Sequence, residues 1–219
     1  MKQRMNALGI AVLTGLLALG ATRAGAQGVG LLPAETSEVR DLHWLDITAG
    51  AVVGSERSFY GARSTFWIVP EMRSFVDLGF ARLNYHGEPS DTEIGAQAGL
   101  IYAMPLGLAF DNAIRGAVYG ATGDRHNILG STVAWMVSGQ PIKGGVSYYG
   151  GAGFGVERDS RQSIAAGEDG LGGLTSKTDN KLYPFVDAGA LMPVWEHVNA
   201  FVEFAYADSW WVGLGVRVR

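Results

Sequence analysis

The segment WWVGLGVRVR, residues 210–219, alternates between two kinds of side chain. Its even positions, from Trp210 to Val218, are all large and apolar, whereas its odd positions hold Trp211, two glycines and two arginines. Side chains of a β-strand point alternately to opposite faces of the sheet. One face of this strand is therefore suited to lipid and the other to a crowded interior that contains charge, which is the pattern of a transmembrane barrel strand.

The same alternation recurs upstream in several runs of similar length, including 92–103, 145–158 and 198–207. Short breaks at Pro70, Pro105, Pro141 and Pro193 alternate along the sequence with more polar connections. Proline is common in turns because it cannot donate a hydrogen bond to a strand ladder. The pattern predicts an all-β, antiparallel up-and-down transmembrane β-barrel of about ten strands, with eight strands as the main alternative. The predicted strands are 44–53, 58–69, 74–86, 92–103, 107–120, 127–137, 145–158, 181–192, 198–207 and 210–219.

The first 26 residues have the features of a signal peptide. Lys2 and Arg4 precede an apolar run over 7–21, and Ala24-Gly25-Ala26 supplies the small residues that a signal peptidase reads. The run is shorter than the roughly 20 residues that a spanning helix needs. We therefore expect a signal peptide over 1–26, a periplasmic leader over 27–43 and the barrel over 44–219. A position of the leader inside the lumen stays open.

Composition agrees with an exported β protein. The chain has no cysteine and 32 glycines in 219 residues, about twice the usual glycine share of roughly 7%, and glycine weakens helices. Removal of residues 1–26 takes away Lys2, Arg4 and Arg23, which leaves 14 of the 17 basic residues against 21 acidic ones, a net charge of −7. This balance argues against nucleic acid as a partner, and the absence of cysteine excludes disulfides.

Charged residues at inward positions form the predicted site. Because unpaired charge is costly within a membrane, we expect these side chains to face the lumen and to pair there. The predicted lumen charge network consists of Asp46, Asp77, Glu93, Asp111, Arg115, Glu157, Asp187, Glu203 and Arg217. We interpret it as an electrostatic plug that fills a narrow barrel. A cation-preferring pore lined by excess carboxylate is the alternative.

Aromatic residues near the strand ends predict two interfacial girdles. The periplasmic girdle would hold Trp44, Trp67, Trp135 and Trp195, with Tyr102 and Tyr148 beside them. The outer girdle would hold Tyr60, Tyr85, Tyr119, Tyr183, Tyr206 and Trp210.

The tail of the chain, with FVDAG over 185–189 and AFVEFAY over 200–206, resembles the closing hairpins of small outer-membrane β-barrel proteins. That broad family includes opacity-type surface antigens and porin-like domains. The resemblance implies a place in the bacterial outer membrane, contact with its lipid and insertion by the barrel assembly machinery. Such barrels usually end in an aromatic residue that this machinery reads, whereas the present sequence ends Val218-Arg219.

Two features bear on activity. The polar segment 159–180 is too long for a hairpin turn, so we expect an exposed mobile loop through which an extracellular partner would bind. His86 and His126 lie near acidic residues in predicted outer loops, but lipid A deacylases need a histidine with a serine two residues on, and none of the four histidines has one. We therefore expect no enzyme activity, no metal site and no cofactor.

These observations predict a barrel with a structural or surface-interaction role and a largely side-chain-filled lumen. A narrow small-solute or cation pore, a lipid-modifying enzyme and a soluble β-sandwich are the alternatives.

Overall fold

The computed structural model describes Gly30 and residues 44–55, 57–83, 91–106, 110–139, 145–165 and 173–219. The predicted signal peptide lies outside these residues, and so does the predicted leader apart from Gly30.

Ten antiparallel strands form one closed barrel, in which each strand pairs with its neighbours along the chain and the first pairs with the last. The predicted architecture and strand number are therefore confirmed, and the eight-strand alternative is wrong. The strands are β1 Leu45–Gly54, β2 Arg57–Val69, β3 Met72–Leu83, β4 Asp91–Met104, β5 Asp111–Thr122, β6 His126–Ser138, β7 Ser147–Ala165, β8 Gly173–Trp195, β9 Val198–Ala207 and β10 Ser209–Val218.

The barrel has two distinct ends. Trp44 and Arg219 lie at one end, which we call the terminal end, together with the connections from β2 to β3 and from β8 to β9. The other end, the loop end, carries the connections from β1 to β2, β3 to β4, β5 to β6, β7 to β8 and β9 to β10. The last of these is the tightest, since Asp208 alone separates the paired residues Ala207 and Ser209 and adopts a positive φ of 64°.

The outer surface is apolar along most of its height. Leu78, Val133, Phe154 and Leu214 are each more than half exposed although they lie at mid-strand. Towards the loop end, outward positions become polar on one strand after another. The first polar outward residues there include Arg82, Thr92, Asn127, Arg158 and Asn180. This apolar band with a polar border is the exterior of a membrane-spanning barrel.

No helix among the described residues is long and apolar enough to cross a membrane.

The predicted loop 159–180 is wrong in its bounds. Strands β7 and β8 continue through most of it and pair from Ser147 with Leu191 to Ala165 with Gly173. The β8–β9 ladder begins only at Val186 with Tyr206. Beyond the apolar band both faces of this hairpin meet water, so its side chains carry no hydropathy contrast, and alternation could not reveal the strands.

Inside the barrel, aromatic rings lie against glycines of the neighbouring strand. A Cβ added at Gly155 would lie 2.5 Å from the hydroxyl of Tyr183, and one added at Gly189 would lie 2.5 Å from the hydroxyl of Tyr149. These rings need the space that only glycine leaves, which explains much of the unusual glycine content.

Replacement of Gly189 by alanine should lower the free energy of unfolding by about 1–3 kcal/mol, because the new methyl group displaces the buried Tyr149 ring. Gly116→Ala is the matched control, since nothing lies within 4 Å of a Cβ at that position. Urea unfolding in phospholipid vesicles measures both variants. Equal stability of the two would contradict the packing described for Tyr149.

Candidate functional site in the barrel interior

The structure places eight of the nine predicted lumen residues in the interior, each at most 5% exposed: Asp46, Asp77, Glu93, Arg115, Glu157, Asp187, Glu203 and Arg217. Asp111, the first residue of β5, is only half-buried.

Sequence reasoning missed four further charges of the interior. Arg57, Arg63, Arg73 and Asp159 are each at most 3% exposed. The described interior therefore contains seven buried carboxylates and five buried guanidinium groups, a much smaller acidic excess than the sequence predicted. The arginines on β2 could have been found, because Arg57 and Arg63 share the inward parity of that strand.

A central cluster forms around Phe75. Arg63 donates two hydrogen bonds to the Asp77 carboxylate, at 2.6 and 2.8 Å, so the contact is bidentate. The guanidinium groups of Arg63 and Arg115 also lie over the Phe75 ring, 4.5 and 4.7 Å from its centroid, where the negative face of the ring attracts cations. The cluster ties together β2, β3 and β5.

Two carboxylates lie close to this cluster. The Tyr149 hydroxyl donates a hydrogen bond of 2.8 Å to Glu203, and Arg115 interacts electrostatically with both Glu203 and Asp187. Neither oxygen of Asp187 has a side-chain hydrogen-bond partner among the described residues. At the terminal end, Arg217 donates to Asp46 and joins β10 to β1.

A loop-end cluster crosses the lumen. Arg57 on β2 donates a hydrogen bond of 2.8 Å to Glu157 on β7, and these two strands are five apart in a ring of ten, hence on opposite walls. The Tyr119 hydroxyl also donates to Glu157, at 3.0 Å, and lies 2.9 Å from the Tyr183 hydroxyl. Asp159 adds a second acid, 3.5 Å from Arg57.

Three of the predicted girdle residues face the interior instead of the lipid. Tyr119 and Tyr183 are at most 2% exposed and belong to the loop-end cluster. Trp67 is half-buried at inward parity, with the Arg73 guanidinium 5.1 Å from its ring centroid. The alternation of side chains along each strand could have predicted these inward positions. Residues an even number of positions apart share a face, so Tyr119 lies on the face of Arg115, Tyr183 on that of Asp187 and Trp67 on that of Arg63.

The other described girdle residues lie on the outer surface. Those exposed by about half or more are Trp44, Trp135, Trp195, Tyr60 and Trp210, together with Tyr102 and Tyr148. Tyr206 is half-buried, its ring centroid 5.0 Å from that of Trp210. Tyr85 lies outside the described residues.

Within the described part of the chain, no group of three or more His, Asp or Glu side chains is placed to hold a metal ion. His126 is buried at the start of β6, and His86 falls outside the described ranges.

A closed barrel with an apolar exterior and a charged, hydrogen-bonded interior defines the class: this is a transmembrane β-barrel. Known structures with a similar fold include the translocator domain of the autotransporter NalP from Neisseria meningitidis, with 12% identity, a TM-score of 0.43 and coverage of 82% of this chain and 90% of that one. They also include the KdgM porin, with 8% identity, a TM-score of 0.42 and coverage of 80% and 98%. A third is Ail, the attachment invasion locus protein of Yersinia pestis, with 15% identity, a TM-score of 0.30 and coverage of 79% and 97%.

The chain matches no protein-family profile and no curated protein sequence.

Proposed function

We propose that this chain is a non-enzymatic barrel of the bacterial outer membrane, with a sealed lumen and a structural or surface-interaction role. The observation that carries the proposal is the Arg57–Glu157 ion pair, 2.8 Å long, which joins opposite walls of the barrel. An aqueous path at that level would have to pass a bridge that is extended by Tyr119 and Tyr183. Both charged side chains are at most 4% exposed, so water has little access to them.

Charge balance favours the sealed barrel over a cation-preferring pore. Seven buried carboxylates face five buried guanidinium groups among the described residues, and a cation path needs a lining in which negative charge dominates. Here much of that charge is compensated by arginine within hydrogen-bond distance.

Planar-bilayer recording tests the sealed lumen. We expect no stable conductance steps from the purified protein, and we expect steps from Arg57→Ala/Glu157→Ala, which removes the bridge. Lys177→Ala is the control, because Lys177 is 75% exposed on the hairpin beyond the barrel and its loss should change nothing. Discrete steps in the unmodified protein, abolished by Glu93→Gln, would establish the narrow pore instead.

The proposal also excludes the lipid-modifying enzyme. Lipid A from cells with and without the protein should have identical mass spectra. A mass difference that depends on His126 would show that the barrel is an enzyme.

The surface role is assigned to the extended β7–β8 hairpin. Residues 173–185 of β8 pair with β7, and no described strand pairs with their other edge. Such an edge offers unpaired backbone groups to an extended partner segment. Its polar, mixed-charge side chains, among them Lys177 and Asp179, are consistent with an extracellular position, and the resemblance to opacity-type surface antigens stays a prediction.

An epitope tag tests the orientation of the barrel. A tag inserted between residues 168 and 169 should be detected on intact cells, because the loop end would face outwards. The same tag between Glu196 and His197, in the turn from β8 to β9, should be detected only after permeabilisation. The reverse result would invert the proposed topology.

Outer-membrane lipid and the barrel assembly machinery complete the proposed partners. A groove of about 650 Å³ on the outer surface runs between Val118, Leu129, Val156 and Leu182, beside Arg158. Its apolar lining suits an acyl chain, and Arg158 at the border of the apolar band suits an anionic headgroup.

A further inference from the structure

Gly30 lies inside the barrel, although it precedes the first strand by fifteen positions. It is buried, and its nearest side chains beyond its own segment are Asp77 on β3 and Gln97 on β4. Both are inward-facing residues, exposed by 0% and 5%. A residue of the N-terminal segment therefore occupies the lumen wall next to the central cluster.

The space at this position admits only glycine. A Cβ added to Gly30 would meet the side-chain oxygen of Gln97, and it would lie 2.9 Å from both the Asp77 carboxylate and the Gln97 Cβ. Real Cβ atoms essentially never approach other atoms so closely. Asp77 cannot move away cheaply, because Arg63 holds both of its oxygens. The backbone of the segment can come this close to the wall because residue 30 has no side chain.

Gln97 supplies a second, independent observation. Its side-chain nitrogen, Nε2, is buried and has no hydrogen-bond partner among the described residues. An unsatisfied buried amide donor costs about 1–3 kcal/mol. The amide oxygen of Gln97 faces Gly30, so its unsatisfied nitrogen leaves a buried donor on the same side chain, which makes this part of the wall polar beside the position that Gly30 occupies.

We propose that the lumen wall at Asp77 and Gln97 is a docking site for the N-terminal segment of this same chain, which is fastened there by Gly30. Cleavage after Ala26 would leave Gly30 as the fourth residue of the exported protein, so the residue that makes the contact would be retained. This inference rests on the sealed lumen of the proposed function and adds the N-terminal segment to the inward-facing side chains that fill it. Its cross-linking test does not depend on conductance, so the two proposals can fail separately.

The absence of native cysteine allows a direct test. In the double variant Gly30→Cys/Gln97→Cys, the two Cβ positions lie 2.9 Å apart before any adjustment. A disulfide needs about 3.5–4.5 Å between its Cβ atoms, so a small shift completes the geometry. After oxidation of the folded protein in membranes, we expect its mass to be lower by two hydrogens. Because the disulfide consumes both thiols, maleimide should no longer label the protein.

The matched control is Gly30→Cys/Ala98→Cys. Ala98 is the next residue of β4 and is exposed on the outer, lipid-facing side, so its thiol points away from residue 30. No disulfide should form within a molecule, and both thiols should be labelled by maleimide once the oxidised protein is denatured. Absence of the 30–97 disulfide in protein that still shows the heat-dependent gel shift of a folded barrel would overturn the proposal. Equal cross-linking of both pairs would overturn it as well.

A second measurement covers the case in which Gly30→Cys prevents folding. The single variant Gln97→Cys should react slowly with maleimide, because the segment covers it. Adding Gly30→Leu should expel the segment and raise that rate at least several-fold, whereas Ser55→Leu, at an exposed position of the β1–β2 connection, should not. An unchanged rate with Gly30→Leu would show that the segment does not dock there.

Discussion

Arg63→Met is expected to lower the free energy of unfolding by about 3–5 kcal/mol, the usual cost of breaking a buried ion pair by removing one partner. Asp77 is fully buried and would lose two charge-assisted hydrogen bonds of 2.6 and 2.8 Å. The Phe75 ring would also lose one of the two cations that lie over it. Urea unfolding in phospholipid vesicles, followed by tryptophan fluorescence, measures the effect.

The double variant Arg63→Met/Asp77→Leu is the control for this prediction. It removes the acid together with its partner and leaves apolar side chains of similar size, so much of the lost stability should return. The single variant Asp77→Leu completes the comparison. If the double variant lost as much stability as Arg63→Met and Asp77→Leu together, the ion pair would not be the source of the effect.

Leu214→Arg is expected to lower the free energy of unfolding by about 2–4 kcal/mol, the cost of a cation at the midplane of a bilayer on the lipid face of a barrel. Leu214 is 54% exposed and lies midway along the apolar outer face of β10. In a water-soluble protein, a substitution at so exposed a site would be close to neutral. The variant therefore tests directly whether the outer surface meets lipid.

Ser176→Arg is the matched control on the exposed face of β8, beyond the apolar band. It should change the unfolding free energy by less than about 0.5 kcal/mol, as surface substitutions usually do. The closed barrel already rules out the soluble β-sandwich, so a neutral Leu214→Arg would show that the outer surface of this barrel meets water instead of lipid.

Much of the fold was predictable because alternation and turn residues are local signals. The last strand was predicted over 210–219 and observed over Ser209–Val218. The strands 145–158 and 181–192 were predicted, but the extension of the β7–β8 hairpin through most of 159–180 was not predictable, because polar strands above a membrane present the same kind of side chain to both sides. Its length follows from backbone pairing, and hydropathy does not record that pairing.

The sequence predicted that most of the charged residues of the site face the lumen, but it missed several of the other side chains that the lumen contains. Arg57 and Arg63 were missed because β2 alternates less cleanly than the other strands. Tyr119 and Tyr183 were assigned to the girdle because a tyrosine near a strand end suits an interface and a polar interior equally well. Their shared parity with Arg115 and Asp187 was the better guide, since it follows from geometry alone.

The sequence by itself determined that this chain forms an antiparallel barrel of about ten strands with charge on the inside, because a period of two assigns every side chain to one of two faces. Only the tertiary structure decided which charges meet. Closing the barrel brings Arg57 and Glu157 together from opposite walls, and it places Gly30 against Asp77 and Gln97. Those contacts depend on the register between strands and on the width of the lumen. The alternation of side chains within a single strand determines neither quantity.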